Sequence, residues 1–379
     1  MKELLARQLL SAVVAKDETE MLSIANQLTA LSAVKYDDYG GYSPGVKFLE
    51  SLAVWLEGFD ADDRSIALDF VLTRLTYVSA AELDHLVGTV YFDILRPLFI
   101  ASAAEVLHLP AWRVAEVTAS KEFKSIQRRT LILGMSDGAR LDKLRRSSSL
   151  STEQFHLVTH VDEEKRADLK RKLKKALDEI DPGAPSTFDR VVLVDDFSAS
   201  GTTMLRPTRD DDGNLVVDEK GQQLWTGKLQ KLRAHLEELK KEGVVSHNAK
   251  ILVLLYLMSH DAHEVLTSRM EKAGFGEDFE LIAAHKFSED FPLAEATDSK
   301  FWELCDRYFR PNWVNEHTTI AGDVRFGYGG SALPLVLHHN APNNAPPILW
   351  KDEDPAETGE LRRWIGVFPR HERHHPGRP

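Results

Sequence analysis

The sequence predicts an α/β protein: a parallel sheet flanked by helices, with an all-helical domain at its N-terminus. Three observations carry this. Apolar residues recur at helical spacing from residue 1 to about residue 115, and short runs of β-formers alternate with amphipathic segments further on. Those runs are apolar throughout, as strands buried on both faces of a parallel sheet must be. A chain of 379 residues, 43% hydrophobic, has material for one large core plus a smaller domain.

The helical spacing shows in Leu4, Leu5, Leu9 and Leu10, and again in Leu83, Leu86, Val90 and Ile94. It is interrupted by YDDYGGYSPG, residues 36–45, whose glycines and proline mark a loop. Pro97 and Pro110 set kinks or boundaries. From Thr130 to Leu133 a short apolar run leads into Gly-Met-Ser-Asp-Gly-Ala-Arg, which reads as strand, tight loop and helix, and a second strand is expected at Phe155 to Val158. Glu163 to Ile180 is a charged helix with Leu169, Leu173, Leu177 and Ile180 on one stripe.

The run Val191 to Val194 predicts a third strand, with others at Ile251 to Tyr256 and Leu281 to Ala284 separated by helices at 228–242 and 264–273. Residues 206–227, with Asp-Gly-Asn and Glu-Lys-Gly-Gln around Leu-Val-Val, predict a β-hairpin insert. No internal repeat is evident. The domain boundaries drawn from these patterns are 1–115 helical, 116–350 α/β and 351–379 a tail in which Trp364, Val367 and Phe368 are candidates to dock.

With 47 basic and 59 acidic side chains, the formal charge of −12 argues against a surface built mainly for nucleic acid or an anionic membrane. The single cysteine, Cys305, supports neither an internal disulfide nor a cysteine metal cluster, so a reducing, cytoplasmic setting is expected. The N-terminus lacks a signal-peptide core, and the longest apolar run, Ile251 to Met258, is far short of a bilayer span; neither secretion nor a membrane anchor is expected.

VVLVDDFSASGTT, Val191 to Thr203, carries the chemistry. It places Asp195 and Asp196 at the C-terminal end of a buried strand, the edge where open parallel sheets bind ligands. Carboxylates there need partners, because desolvating either charge is costly; hydroxyl groups or metal-bound water serve. Ser198, Ala199, Ser200, Gly201, Thr202 and Thr203 offer backbone amides, hydroxyls and an expected helix N-terminus, a compact phosphate cradle. A Walker B-like strand and a solvated loop with a cap are the competing readings, but no G-x-x-x-x-G-K-[ST] completes an NTPase site.

An apolar run, two acidic residues and a small-residue loop closing on Gly-x-Thr resembles the phosphoribosyl pyrophosphate signature of the type I phosphoribosyltransferase family. The resemblance implies ribose hydroxyls on Asp195 and Asp196, the 5-phosphate on Ser200 to Thr203, and Mg2+ near both carboxylates. It also implies transfer of phosphoribose to an acceptor with release of pyrophosphate. LILGMSDGAR then becomes the pyrophosphate loop, with Ser136, Asp137, Gly138, Ala139 and Arg140 against the leaving group; the alternative is a plain strand-to-helix connection capped by Ser136 or Asp137.

FGYGGSALPLVLHHNAPNNAPPILW, Phe326 to Trp350, is similar to the C-terminal part of a bacterial group of phosphoribosyltransferase-like proteins found in conflict or defence gene sets. That group shares the SDGAR and DDFSASGT loops. His338, His339, Asn343 and Asn344 are candidates to cap an acceptor pocket, or a surface turn held by prolines. Lys286 lies where the resemblance implies a contact to the base. Arg145 and Arg146 are either phosphate contacts or charges at a helix end, and the basic face of 165–175 reads first as a solvated helix face. His260 and His263 have a metal-compatible spacing, or Ser259 or Asp261 simply caps a helix.

Where the family has a hood loop on a two-stranded ribbon, this chain has the long charged helix, so the acceptor is not inherited from the resemblance. Three readings follow: a transferase, a non-catalytic sensor of a phosphorylated ribose compound or nucleotide that relays occupancy through the N-terminal helices to a protein partner, and a toxin-type effector acting on nucleotides.

Overall fold

The computed structural model describes residues 8, 10–14, 16, 18–158, 161–314, 323–353 and 363–370. Leu4, Leu5 and Leu9 of the N-terminal apolar pattern lie outside them, as does most of the charged tail. The chain divides into two compact units, Met1–Leu83 with Asp290–Pro379, and Asp84–Glu289.

The first unit is built from helices Glu18–Val34, Phe48–Glu57, Arg64–Thr73 and Glu295–Arg307. A two-stranded parallel pair joins β1 (Thr76–Val78) to β9 (Leu335–Leu337). Its core is aromatic: Phe70 stacks on Phe301 at 3.6 Å, and Phe368 packs among Tyr36, Tyr39, Tyr42, Phe48 and Tyr77. The Trp55 and Trp364 indoles both donate to the carbonyl of Ile348, at 2.7 and 3.1 Å. Buried Glu353 takes hydrogen bonds from Trp313 Nε1, the Trp364 amide and Arg310, so its charge is fully partnered. Trp364, Val367 and Phe368 are therefore core residues.

The second unit holds the sheet. Its five strands are β2 (Thr130–Gly134), β3 (Phe155–Leu157), β4 (Phe188–Ser198), β7 (Val245–Met258) and β8 (Phe279–Lys286), all parallel in the order β3-β2-β4-β7-β8. The apolar runs of β2, β4 and β7 are buried on both faces, as their composition requires. Helix Glu163–Ile180 starts where Asp162 Oδ1 accepts from the Lys165 amide, and it buries Leu169, Leu173 and Leu177.

These units run differently from the boundaries drawn from sequence. Residues 84–115 join the sheet, and 290–350 join the N-terminal helices. Helical periodicity marks which face of a helix is buried but not against which core, and β1 and β9 are too short to register as strands among helices.

Residues Ala80–Leu107 form one helical stretch of 28 residues, long and apolar enough by length and composition to cross a bilayer. Val87, Tyr91, Leu95, Phe99 and Ala103 recur every fourth residue along it and are buried. A π-helical turn at Tyr91–Leu95 precedes Pro97, which has no N–H for the Asp93 carbonyl and crowds it.

The insert pairs β5 (Arg206–Pro207) with β6 (Trp225–Thr226) antiparallel, as its sequence predicts. It also holds a local duplication that the sequence reading missed. Asp210 Oδ1 accepts from the amides of Asp212 and Asn214, and Asp218 Oδ1 likewise from Lys220 and Gln222. The two turns share backbone and spacing but little side-chain identity, which hides them from inspection.

Candidate functional site

The sheet order changes direction between β2 and β4: the chain leaves β2 for β3 on one side, then returns to β4 on the other. Crevices at such switch points, beyond the carboxyl ends of the strands, are where open α/β sheets bind ligands. The loop after β2 is Ser136 to Arg140, and the loop after β4 is Ala199 to Thr203. Folding brings together the two segments singled out from sequence.

Their approach is close. The Met135 amide donates to the Val194 carbonyl at 2.8 Å, and the Ser136 hydroxyl bonds Asp195 Oδ1. A Cβ on Gly138 would lie 2.6 Å from Asp196 Oδ2, so a larger residue would force this carboxylate or the loop to shift. The buried Tyr256 hydroxyl, from β7, donates to the Ala139 carbonyl at 2.6 Å and fixes the turn from below. Neither Ser136 nor Asp137 caps the short helix Leu141–Arg146; the Ser136 hydroxyl is spent on Asp195, and Asp137 is exposed.

Asp195 is held from two sides. It is 1% exposed, and its second oxygen is ion-paired with Lys228. Burial pushes its pKa up, against the opposing pull of Lys228, and Asp196 adds to the rise. Ser136 takes one site on Oδ1 and Lys228 one on Oδ2, so each Asp195 oxygen keeps a second acceptor site. Asp196 is more open and accepts from the Phe197 amide at 2.8 Å. Among the described residues no group of three or more His, Cys, Asp or Glu gathers to hold a metal. A magnesium ion here would need a ligand to supply most of its oxygens, Asp195 and Asp196 being the carboxylates beside it.

Lys228 arrives by a detour. No helix follows the Ser198–Thr203 loop directly, contrary to expectation: Met204 and Leu205 both donate to the Gly201 carbonyl in a turn, and the hairpin intervenes. The helix Lys228–Lys241 then begins with the Lys228 and Leu229 amides on the carbonyls of Thr203 and Met204, at 3.1 and 2.9 Å. The hairpin is thus extruded from a junction whose two ends are hydrogen-bonded together. Gly227 makes the junction, with φ of 127° and a Cβ position 2.5 Å from the Met204 carbonyl oxygen.

The loop itself is held by the next strand. The Ser259 hydroxyl donates to the Ala199 carbonyl and the Ser259 amide to the Ser198 carbonyl. Ser198 and Ala199 are buried; Ser200 and Thr202 are half-buried and Thr203 exposed. Of the amides from Ala199 to Thr203, only that of Thr202 donates within the protein among the described residues, to Ser200 Oγ at 3.4 Å. The remainder form the donor set that an anion requires.

Beside the Ser136–Arg140 loop lies a cleft of about 470 Å³ lined by Asp84, Arg140, Asp142, Lys143, Arg146 and Ser147. Arg140, at φ 44°, is ion-paired with Asp84. Arg146 lines the same cleft as Arg140, whereas Arg145 donates to Thr152 Oγ1 at 3.3 Å.

The other sequence candidates have local roles in their own units. Ser259 caps helix His260–Lys272 by accepting from the Ala262 amide at 2.9 Å, and His260 and His263 pair with their neighbours Asp261 and Glu264. Lys286 is exposed at the end of β8. His338, His339, Asn343 and Asn344 belong to the other unit, where the His338 carbonyl accepts from the Gly40 amide and Asn344 Nδ2 bonds the Tyr328 carbonyl and Ser331. Lys228 and Tyr256 were not foreseen. Lys228 opens a charged helix, and Tyr256 lies inside an apolar run that reads as core.

Fold and crevice together define a phosphoribosyltransferase-like α/β protein. Residues 52–370 match the family model described as PRTase-CE, a phosphoribosyltransferase-type family, and the chain belongs to that family. No curated protein and no solved structure gives a significant match.

Proposed function

We propose that this protein binds phosphoribosyl pyrophosphate in the crevice between β2 and β4 and transfers its phosphoribosyl group to an acceptor, releasing pyrophosphate. The observation that carries this is the meeting of the two loops: Gly138 lies against Asp196, and Ser136 bonds Asp195, at the topological switch point.

The 5-phosphate takes the amides of Ser200 to Thr203, Asp196 takes the ribose diol, and Ser136 to Arg140 face the pyrophosphate. Asp195 braces the crevice from behind. Asp196 would be the protein's carboxylate toward a magnesium ion, which would supply charge neutralisation for the leaving pyrophosphate. Displacement at C1 develops positive charge on the ribose ring, which the Asp196 carboxylate offsets while the two loops hold the reacting atoms in line.

A second reading is favoured by one feature. Helix Glu163–Ile180 occupies the interval where the resembling enzymes carry a closing ribbon, which suits a module that binds the ligand and reports occupancy without turnover. Purified protein mixed with magnesium, phosphoribosyl pyrophosphate and a panel of bases and nucleotides separates the two. Pyrophosphate release with any acceptor supports transfer; ligand binding with no release across the panel supports the sensor.

A further inference from the structure

The ion pair between Lys228 and Asp195 stands outside every role assigned so far. Lys228 Nζ has three N–H donors, one of them on Asp195 Oδ2. Among the described residues the other two meet no protein acceptor, and the side chain remains 33% exposed. The Lys228 amide is bonded to the Thr203 carbonyl, so this residue belongs to the rim of the phosphate loop. Through Asp195 it is also one residue removed from Ser136 of the opposite loop.

A lysine in that position does two things. It supplies the counter-charge that lets Asp195 be buried, and it leaves two donors on a partly exposed ammonium beside Asp195, at the end of the strand that carries the loop. A lysine ammonium is a compact point charge suited to phosphate oxygens. Such a group takes over part of the work of a divalent cation.

We infer that Lys228 is a phosphate-binding residue of this crevice, and that it makes recognition of the ribose 5-phosphate portion independent of a divalent cation. This rests on the reading that the crevice takes a phosphorylated ribose. Magnesium then matters only for ligands carrying pyrophosphate.

The test is calorimetric titration of ribose 5-phosphate into the full chain in EDTA and in magnesium, with the wild type and Lys228→Met. The expected result is saturable binding that differs less than about threefold between EDTA and magnesium, and that weakens about tenfold or more in the variant, the loss of a charge-assisted contact. Since Lys228→Met leaves Asp195 without its counter-ion, the wild type carries a second measurement. Reductive methylation of Lys228, followed by peptide mass spectrometry, should slow when ribose 5-phosphate is present in EDTA. Binding that requires magnesium, an unaltered affinity in Lys228→Met, or no protection of Lys228 overturns the inference and leaves the crevice assignment standing. No binding of either ribose 5-phosphate or phosphoribosyl pyrophosphate in any condition overturns both.

Discussion

Lys228, the first residue of the helix that follows the hairpin insert, is ion-paired with Asp195 at the end of β4, although 33 residues separate them. The pair ties the insert junction to the floor of the crevice between β2 and β4. It also means that the first aspartate of the DDFSASG motif is internally neutralised.

Breaking that pair from one side should destabilise the protein, because a buried charge is left without its partner. The loss should fall below the ~3–5 kcal/mol of a fully buried pair, since Lys228 is a third exposed and water screens it. A double-mutant cycle with Asp195→Asn and Lys228→Met, read by urea unfolding, should give a favourable coupling energy, with the double variant more stable than the sum of the single losses predicts. Strict additivity would refute the coupling.

Gly138→Ala should separate the two loops. Its methyl group lands 2.6 Å from Asp196 Oδ2 and 2.8 Å from Cγ, so either the loop or the carboxylate must move. Overpacking of this kind costs about 1–3 kcal/mol, and ligand affinity should drop with it. Unchanged unfolding and unchanged affinity for phosphoribosyl pyrophosphate would show that the loops do not meet as described.

Tyr256→Phe removes one oxygen and leaves the Ala139 carbonyl without its 2.6 Å donor. An orphaned buried acceptor costs about 1–3 kcal/mol. Thermal unfolding should report that loss, and hydrogen exchange should show faster opening of residues 136–140 than in the wild type.

Much of this was legible from the residues. The apolar runs of β2, β4 and β7 leave few alternatives to a parallel sheet, and helix Glu163–Ile180 follows from its leucine stripe. The loops Ser136–Arg140 and Ser198–Thr203 stand out by their small residues. What could not be read depends on long-range closure. Lys228 acquires its role only because the hairpin folds back on Thr203 and Met204. β1 and β9, three residues each, pair across most of the chain and move residues 290–350 to the other core. The twin Asp210 and Asp218 turns repeat in backbone rather than in side chains.

The hairpin should be removable. Arg206 pairs with Thr226, and the helix beyond is already capped by carbonyls that precede the insert. Replacing residues 207–225 with Asn-Gly, a two-residue turn suited to antiparallel strands, should leave helix content by circular dichroism nearly unchanged and the unfolding midpoint within a few degrees. Loss of cooperative unfolding would show that the insert is part of the core.

Acid should weaken the first unit through Asp298. Burial raises this carboxyl's pKa, but the Arg74 guanidinium, the Ala294 amide and Thr297 outweigh that and hold it below the usual carboxylate value. A lowered folded pKa means the stabilisation is complete above the unfolded value near 3.8 and is lost as pH falls through the folded one. Asp298→Asn should therefore lower the unfolding midpoint at pH 7 and flatten its decline between about pH 5 and pH 2. A parallel decline in wild type and variant would exclude Asp298 as a source.

Calorimetric titration of phosphoribosyl pyrophosphate with magnesium into the wild type and Asp196→Asn tests the central claim most directly. Saturable one-to-one binding is predicted, with a dissociation constant between ~1 μM and ~1 mM, the range of enzyme–substrate affinities, and it should weaken sharply in the variant. A wild type that takes up no ligand well above that range, or a variant that binds equally well, would contradict the assignment of the crevice to a phosphorylated ribose.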